Sequence, residues 1–345
     1  MITSTRRQFL EQVTLGGAAV LVAGRSQPAA ARQTAAASSW RSRVGLELYT
    51  VRDLLTADYE GTLAKVAEIG YTEVEPVSYG NMSPTAFRAM LDRLKLTMPS
   101  THAPARGAGA DLERQLEGFQ VMGLKYTEIA AESRGPATVD ARRPATLPPG
   151  GYFDAGSGRV RNSFQETEAF GPYQPPVSAE SVKRRAAQLN ADGRLVSKFG
   201  MKVLVHNHTG EFEKIAGTSH TTYDILLKET DPAFVAMQLD LGWAYIAGID
   251  PIGLFKEYPG RFELWHVKDA FGLNTVNRSL GPNARVSSLA IVPIGTGHID
   301  YKPAFAHASL AGLKHFCIEQ DNAAAWGDSL AAARVSYQNL AAILT

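Results

Sequence analysis

The chain has 345 residues, of which 45% are hydrophobic and 20% charged, with 35 basic residues against 34 acidic ones. This balance excludes an intrinsically disordered chain and gives no polybasic surface of the kind that nucleic-acid binding needs. The single cysteine, Cys317, excludes an intrachain disulfide. No apolar run reaches the roughly 18 residues that a membrane span requires.

The first 37 residues differ in character from the rest and are predicted to be a signal peptide and leader. Arg6 and Arg7 precede a weakly apolar stretch at 13–24, and runs of alanine follow it. A basic start, an apolar stretch and small residues for cleavage, in that order, resemble a twin-arginine export signal. We therefore expect a periplasmic or secreted protein; a cytosolic tail with a chance Arg-Arg pair is the alternative.

From Val44 onward, short apolar runs alternate with segments whose apolar residues recur at helical spacing. Strands are predicted at 44–49, 71–75, 96–101, 125–130, 201–205, 234–240, 262–267 and 315–319. Helices are predicted at 59–69, 84–94, 112–122, 179–199, 223–229, 252–258, 302–310 and 329–343. Eight strand-then-helix units in about 300 residues predict one α/β domain over 44–345, a closed (β/α)8 TIM barrel. An open doubly wound sheet is the alternative, but the first turn lacks a G-x-G-x-x-G motif.

Two long interruptions of this pattern fall on the same face of the predicted barrel. Residues 132–178 are rich in Pro and Gly, have little periodicity and follow the fourth strand, so they are predicted to be a loop insertion. Residues 271–298, after the seventh strand, form a second long loop. Loops on this face build the active sites of TIM barrels.

Polar and ionisable residues collect at the carboxyl ends of the predicted strands. The ends of the last four strands carry His206 and His208, Asp240, His266 and Lys268, and Glu319. In a barrel these ends are neighbours, so imidazoles and carboxylates from separate strands can enclose one divalent ion. A hydrogen-bonded structural role is the alternative for any single histidine, but buried carboxylates without a cation would be costly.

Motifs around these residues carry a resemblance to a known family. They are Val205-His206-Asn207-His208, Leu239-Asp240-Leu241-Gly242-Trp243, Trp265-His266-Val267-Lys268-Asp269 and Ile318-Glu319-Gln320-Asp321. Together they resemble the sugar phosphate isomerase/epimerase family of xylose-isomerase-like TIM barrels, which includes sugar epimerases and inosose dehydratase. The resemblance covers most of residues 44–345 and is weakest across 132–178.

The resemblance implies one divalent metal ion (Mn, Mg, Zn or Co) held by the ends of the last four strands. By position, Asp240, His266 and Glu319 correspond to three ligands of the epimerases. The glutamate on the fifth strand of the epimerases corresponds to His206 here, a departure shared with the dehydratase-like branch. Trp243 stands where a histidine often follows the aspartate by three residues.

These positions lead to an expected set of site residues. A two-carboxylate epimerase removes and returns a proton from opposite faces of its substrate, and with His206 in place only Glu319 keeps a carboxylate role. The expected metal ligands are His206, Asp240, His266 and Glu319. The residues expected to act in catalysis are Glu319, His206, His208 and Lys268, and those expected to bind substrate are Glu47, Arg52, His102 and Trp243.

The sequence therefore predicts an exported, metal-dependent isomerase or epimerase that removes a proton beside the carbonyl of a carbohydrate. The alternative is a lyase or dehydratase that eliminates from, or hydrates, a keto-sugar such as a 3-keto-glycoside. A DNA-repair nuclease on the same barrel is disfavoured, because loss of residues 1–37 removes four basic residues and one acidic residue, leaving a net formal charge of −2. A non-catalytic sugar-binding barrel would keep costly unpaired acids. The expected partner is a small-molecule carbohydrate.

Overall fold

A computed structural model describes residues 40–130, 153–154, 159–160, 178–277, 279–287 and 289–344. The predicted signal segment, 1–37, lies outside these residues. So does nearly all of the predicted insertion at 132–178, apart from its last residue and two short segments. Within the described part of the chain, no helix combines the length and the apolar character needed to cross a membrane.

The sheet confirms the predicted barrel. The described strands, β1 to β11 in chain order, are Gly45–Glu47, Glu73–Glu75, Tyr126–Thr127, Phe153–Asp154, Arg159–Val160, Lys202–His206, Val235–Asp240, Leu264–Val267, Asp269–Phe271, Ala290–Val292 and His315–Ile318. Seven of them form one curled parallel sheet in the order β2-β1-β11-β8-β7-β6-β3. The pairs β4–β5 and β9–β10 are antiparallel and stand apart from it.

The predicted third strand, 96–101, is wrong as a continuous strand. Thr97 forms a parallel bridge to β2, and Ala105 forms a parallel bridge just beyond β3, so the segment between them closes the barrel. Pro99 lies in this segment and has no N–H group, so it cannot continue the ladder. Its carbonyl oxygen still accepts a hydrogen bond from the backbone N–H of Tyr126 at 3.0 Å.

The described helices, α1 to α12 in chain order, are Arg52–Leu55, Tyr59–Ile69, Pro84–Leu94, Gly109–Met122, Ala179–Ser197, Thr222–Glu229, Leu241–Ala247, Pro251–Glu257, Pro282–Ser287, Lys302–Ala306, Ala308–Ala311 and Ser329–Ile343. Three of them, α2, α3 and α12, have the bounds predicted from the sequence. The side chains of Asp58, Ser83 and Asp328 cap their first turns by accepting backbone N–H groups. Short 3₁₀ helices cover Arg41–Arg43, Leu48–Val51, Gly210–Phe212 and Ala323–Trp326.

Three other segments differ from the sequence-based prediction. Helix α7, which was not predicted, begins directly at the end of β7 with Asp240 as its cap. The predicted helix at 302–310 is two short helices, α10 and α11, because His307 leaves helical geometry between them. The predicted loop at 271–298 contains α9 and strand β10.

The interior of the barrel is layered along its strands. Tyr126, Leu204, Ala236 and Leu264 form a small buried apolar cluster. Because side chains two residues apart point to the same side of a strand, the next interior layer contains His206, Gln238 and His266. The apolar layer therefore lies directly beneath the polar residues at the carboxyl ends of the strands.

Glu263, just before β8, anchors a polar cluster at the opposite, amino-terminal end of the barrel. Its carboxylate accepts hydrogen bonds from Tyr126 Oη at 2.7 Å, Lys202 Nζ at 2.5 Å and Lys314 Nζ at 2.9 Å. Burial opposes ionisation of Glu263, but these donors outweigh it and lower the pKa of the carboxyl. These hydrogen bonds thus join strands β3, β6 and β8 on the amino-terminal side of the apolar layer.

Candidate metal centre and active site

The four predicted metal ligands lie together at the carboxyl ends of adjacent strands. His206, Asp240 and His266 are on β6, β7 and β8, and Glu319 directly follows β11. Each residue offers one ligand atom, and these atoms all lie within 4.8 Å of one another. The parallel register of neighbouring strands, which sets Asp240 opposite His266, produces this arrangement.

The distances within this group suit a divalent cation. His266 Nδ1 lies 2.7 Å from Glu319 Oε2 and 3.9 Å from Asp240 Oδ2, and His206 Nε2 lies 3.6 Å from Asp240 Oδ2. Two ligand atoms bonded at about 2.1 Å and at right angles are about 3 Å apart. His206 Nε2 and Asp240 Oδ2 are buried without a hydrogen-bond partner among the described residues, and His266 Nδ1 is buried beside Glu319. Their lone pairs fit a cation that all of them share.

A buried hydrogen-bond network fixes the orientation of His266. Its Nε2 lies 2.5 Å from Glu75 Oε2, and the Gln238 amide donates to both Glu75 oxygens at 2.9 and 3.0 Å. The Gln238 oxygen in turn lies 2.7 Å from His102 Nε2. A proton on His266 Nε2 leaves the lone pair on Nδ1, the atom nearest Glu319. Metal-binding histidines are held by a carboxylate in this way in many proteins.

The electrostatics of the group keep His206 neutral and Glu319 ionised. Burial, together with the neighbouring imidazoles, lowers the pKa of His206 well below its ordinary value. Burial opposes ionisation of Glu319, but Lys268 and His266 outweigh it and hold its pKa well below the usual range. A neutral His206 and an ionised Glu319 are in the states that bind metal ions. Burial opposes protonation of His266, but Glu75 and Glu319 outweigh it and raise the pKa of this imidazole, so metal binding there would release a proton.

Lys268 lies inside the same cluster and is 1% exposed. Its Nζ is 2.8 Å from Asp321 Oδ2, 3.1 Å from Glu319 Oε2 and 3.2 Å from Asp240 Oδ2. The ammonium also lies over the Trp243 ring, 4.5 Å from its centroid. Burial opposes the charge, but the surrounding carboxylates raise the pKa of Lys268 well above its ordinary value. Lys268 is therefore a fixed positive charge next to the metal ligands.

Glu47, predicted to bind substrate, lies beside Glu319 at the mouth of the barrel. It is buried, and its Oε2 has no hydrogen-bond partner among the described residues. Burial and the Glu319 carboxylate raise the pKa of Glu47 well above its ordinary value. The pKa values of these two neighbouring carboxyls are thus shifted in opposite directions, which is the pattern of a general acid beside a general base.

Arg52 and Trp243, which are predicted to bind substrate, also contact residues around the metal cluster, and their role towards a substrate stays a prediction. Arg52 Nη1 donates to the backbone oxygens of Tyr49 and Asp321, both at 2.8 Å, and so joins the first loop of the barrel to the eighth. Trp243 is 3% exposed, and its ring lies beneath the Lys268 ammonium. Both residues hold neighbours of the metal cluster in place.

His208 and His102 lie at the border between the cluster and more open space. The His208 ring lies 5.0 Å from that of His206, between centroids, and burial lowers the pKa of His208. The His102 side chain is 19% exposed and forms part of the wall of a cavity of about 400 Å³. Apolar side chains such as Tyr79, Met82 and Phe119 make up most of the remaining wall. His102 thus links the buried network to a space that a ligand can enter.

Sequence reasoning gave no role to three residues that complete this site. Glu75 and Gln238 orient His266, and Asp321 pairs with Lys268. Asp321 lies two residues after Glu319, so both side chains can point to the same side of the chain, and this spacing is the feature of the sequence that indicates Asp321. Glu75 pairs in register with Glu47 on the neighbouring strand, which only the sheet order reveals.

A sequence model of the xylose isomerase-like TIM barrel family matches residues 63–335 of the chain. The chain belongs to this family. The resemblance seen in the strand-end motifs is thereby confirmed.

Individual relatives include proteins named for two reaction classes. An inosose dehydratase of Clostridium tetani is 31% identical over 139 residues, which cover 38% of this chain and 44% of that enzyme. The chain therefore matches less than half the length of this relative. A sugar phosphate isomerase/epimerase of Parabacteroides distasonis has the same fold, with a TM-score of 0.59, 19% identity and coverage of 87% of this chain and 94% of the other.

A third relative bears on the metal. A xylose isomerase-like TIM barrel protein of Mycobacterium smegmatis, solved in complex with magnesium, matches with a TM-score of 0.52 and 14% identity. The match covers 88% of this chain and 96% of that protein. The present chain is thus a barrel of an enzyme family, with a His/Asp/Glu group suited to a metal ion.

Proposed function

We propose that the protein is a divalent-metal-dependent lyase that eliminates water or an alcohol from a keto-sugar or keto-polyol. The observation that carries this proposal is His206, a neutral imidazole at the position where the two-carboxylate epimerases have a glutamate. A neutral imidazole at this position removes one of the two carboxylates that such epimerases use on opposite faces of the substrate to remove and return a proton. Similarity to an inosose dehydratase supports the same reaction class.

The metal ligands would be His206, Asp240, His266 and Glu319, whose donor atoms lie within 4.8 Å of one another. When bound, a divalent ion supplies positive charge beside the substrate carbonyl and so acidifies the neighbouring C–H group. The buried network behind His266 keeps its Nδ1 directed at this position.

Glu319 and Glu47 would move the protons. Ionised Glu319 accepts the proton from the carbon beside the carbonyl, and the electron pair left behind forms the new C=C bond. The β-oxygen departs with its bonding electrons and takes the proton of Glu47, leaving as water or as an alcohol. Transfer of the proton from Glu319 back to Glu47, with which it interacts directly, restores the starting state.

We propose further that the enzyme is exported and acts on a carbohydrate without a phosphate group. The Arg6-Arg7 pair and the apolar stretch that follows it support export. The cation buried in the site, Lys268, is already surrounded by three carboxylates, which disfavours binding of a phosphate there. Phosphorylated sugars are also mainly cytoplasmic metabolites.

The test is product analysis in deuterated water. Mature protein loaded with Mn²⁺ is incubated with an inosose and with 3-keto-glycosides, and the products are followed by NMR. We expect an unsaturated ketone and released water or alcohol, and no product from Glu319→Gln. An epimer carrying solvent deuterium, with no eliminated product, would overturn the lyase proposal in favour of an isomerase.

A substitution at His206 tests the observation on which the proposal rests. His206→Glu restores a carboxylate, and we expect it to retain metal while forming epimer together with the elimination product. His220→Glu places the same change at an exposed histidine and serves as the control. If His206→Glu gives the wild-type products in the wild-type ratio, His206 does not determine the reaction class.

A further inference from the structure

The carboxylates of Asp240, Glu319 and Asp321 surround one ammonium group, that of Lys268. The three contacts are 3.2, 3.1 and 2.8 Å long. Lys268 Nζ is buried and lies within ion-pair distance of all three carboxylates at once. The ammonium therefore acts on these oxygens as a point charge, as a bound cation would.

We infer that Asp240, Glu319 and Asp321 form a second, latent metal site, and that Lys268 fills this site and limits the protein to one divalent ion. The inference rests on the metal centre of the proposed function. It adds a second cation site, which the metal ligands predicted from the strand-end motifs do not include, and it makes Asp321 one of the ligands of that site.

Shared oxygens link the two sites. Asp240 Oδ2 and Glu319 Oε2 contact Lys268 Nζ, and the same two atoms face His206 and His266 in the first site. In proteins that hold two metal ions about 3.5–4 Å apart, such carboxylates lie between the two ions. The ammonium thus takes the position that a second ion would occupy.

The charge of the cluster favours the same conclusion. When all three carboxylates are ionised, their three negative charges equal the combined positive charge of one divalent ion and one ammonium. An uncharged residue in place of Lys268 would leave one negative charge buried beside the first ion. Because an unpaired buried charge is costly, the cluster would gain by binding a second cation.

Neighbouring residues hold the backbone and the first part of the Lys268 side chain in place. The Tyr301 hydroxyl accepts the Lys268 N–H at 3.1 Å and donates to its carbonyl oxygen. Gly242 of α7 packs against the lysine so closely that a Cβ there would lie 2.7 Å from Lys268 Cβ. The lysine stem is therefore enclosed by two neighbouring elements.

Counting bound Mn²⁺ tests the inference. Wild-type protein, Lys268→Met and Lys268→Arg are each titrated with Mn²⁺ at pH 8. Bound metal is measured by equilibrium dialysis, and paramagnetic resonance distinguishes isolated from coupled ions. We expect one isolated ion in the wild type and in Lys268→Arg, and two coupled ions in Lys268→Met.

A double variant and a second substitution complete the design. Lys268→Met with Asp321→Asn removes one ligand of the latent site and should return the count to one. Lys268→Gln serves if Lys268→Met does not fold, as judged by circular dichroism. Two ions in the wild type, or one ion in a folded uncharged variant, would overturn the inference alone. No ion in the wild type would overturn the proposed metal centre and the inference with it.

Discussion

His266 Nε2 lies 2.5 Å from Glu75 Oε2 in the fully buried centre of the barrel. Burial opposes ionisation of Glu75, but His102 and His266 outweigh it and lower the pKa of this carboxyl to about 2. Glu75 therefore remains an acceptor over the whole working pH range. It fixes the tautomer of a candidate ligand from the side opposite the metal position.

Replacing Glu75 by Gln should weaken metal binding while leaving all four ligands in place. The amide is a weaker acceptor and competes with the Gln238 amide that now donates to Glu75. Loss of such a supporting carboxylate typically costs 10- to 100-fold in metal affinity, roughly, and we expect that range here. Competition with a chelating dye measures it. Glu73→Gln, on the same strand but facing His315 at 2.9 Å, is the control and should bind metal normally.

Asp240→Asn should abolish metal binding without unfolding the barrel. Asp240 has two functions, because Oδ1 caps α7 by accepting the Trp243 N–H at 2.8 Å while Oδ2 faces the cluster. Asparagine keeps the cap and removes the charge, so the loss of metal is separated from the loss of about 1 kcal/mol that an uncapped helix would cause. Asp250→Asn, which changes the cap of α8 in the same way, should retain metal. Full metal occupancy in Asp240→Asn, measured by mass spectrometry, would contradict the ligand assignment.

Glu263→Gln should destabilise the protein in a pH-dependent manner. Because the folded state lowers the pKa of Glu263 below its ordinary value of 4.5, the carboxylate stabilises the fold above that pH and loses this effect as the pH falls through the lowered pKa. We expect a loss of about 1–3 kcal/mol in the free energy of unfolding at pH 7, which shrinks below pH 4.5. Urea unfolding at several pH values measures it. The control is Glu60→Gln, whose exposed pair with Arg93 should contribute little.

Export can be tested without the enzyme assay. Replacing Arg6 and Arg7 together by Lys conserves the charge but removes the arginine pair that the export signal requires. Precursor should then accumulate in the cytoplasm, as shown by fractionation and immunoblotting. Equal periplasmic amounts of the wild type and the double variant would show that residues 1–37 are not such a signal.

The sequence predicts most of the barrel because local chemistry determines its helices. The caps Asp58, Ser83 and Asp328 define where α2, α3 and α12 begin, and each can be read from neighbouring residues. Helix α7 was missed because its cap, Asp240, also ends a strand. The division of 302–310 into two helices depends on packing that no local pattern reports.

The candidate site shows the same limit. The sequence predicts His206, Asp240, His266 and Glu319 as ligands because each lies at, or one residue from, the end of a predicted strand. The contacts between Glu75 and His266, and between Lys268 and Asp321, join residues far apart in sequence and depend on strand order and register. The charge states of the site cannot be predicted from the sequence either, because the neighbouring carboxyls of Glu47 and Glu319 differ in pKa only through their surroundings.

Because of Pro99, the strand pairing in the wall of the barrel is less continuous on one side than on the other. Between β2 and β3 the wall is a segment with two isolated bridges, whereas β6 and β7 pair over four residues. Amide hydrogens around Thr97 should therefore exchange with solvent faster than those of β7. Local opening of the segment between β2 and β3, and not global unfolding, should set their exchange rate. His102 lies in this segment and contacts Gln238, so local opening there would also disturb the hydrogen bonds of Gln238 and Glu75 that orient His266.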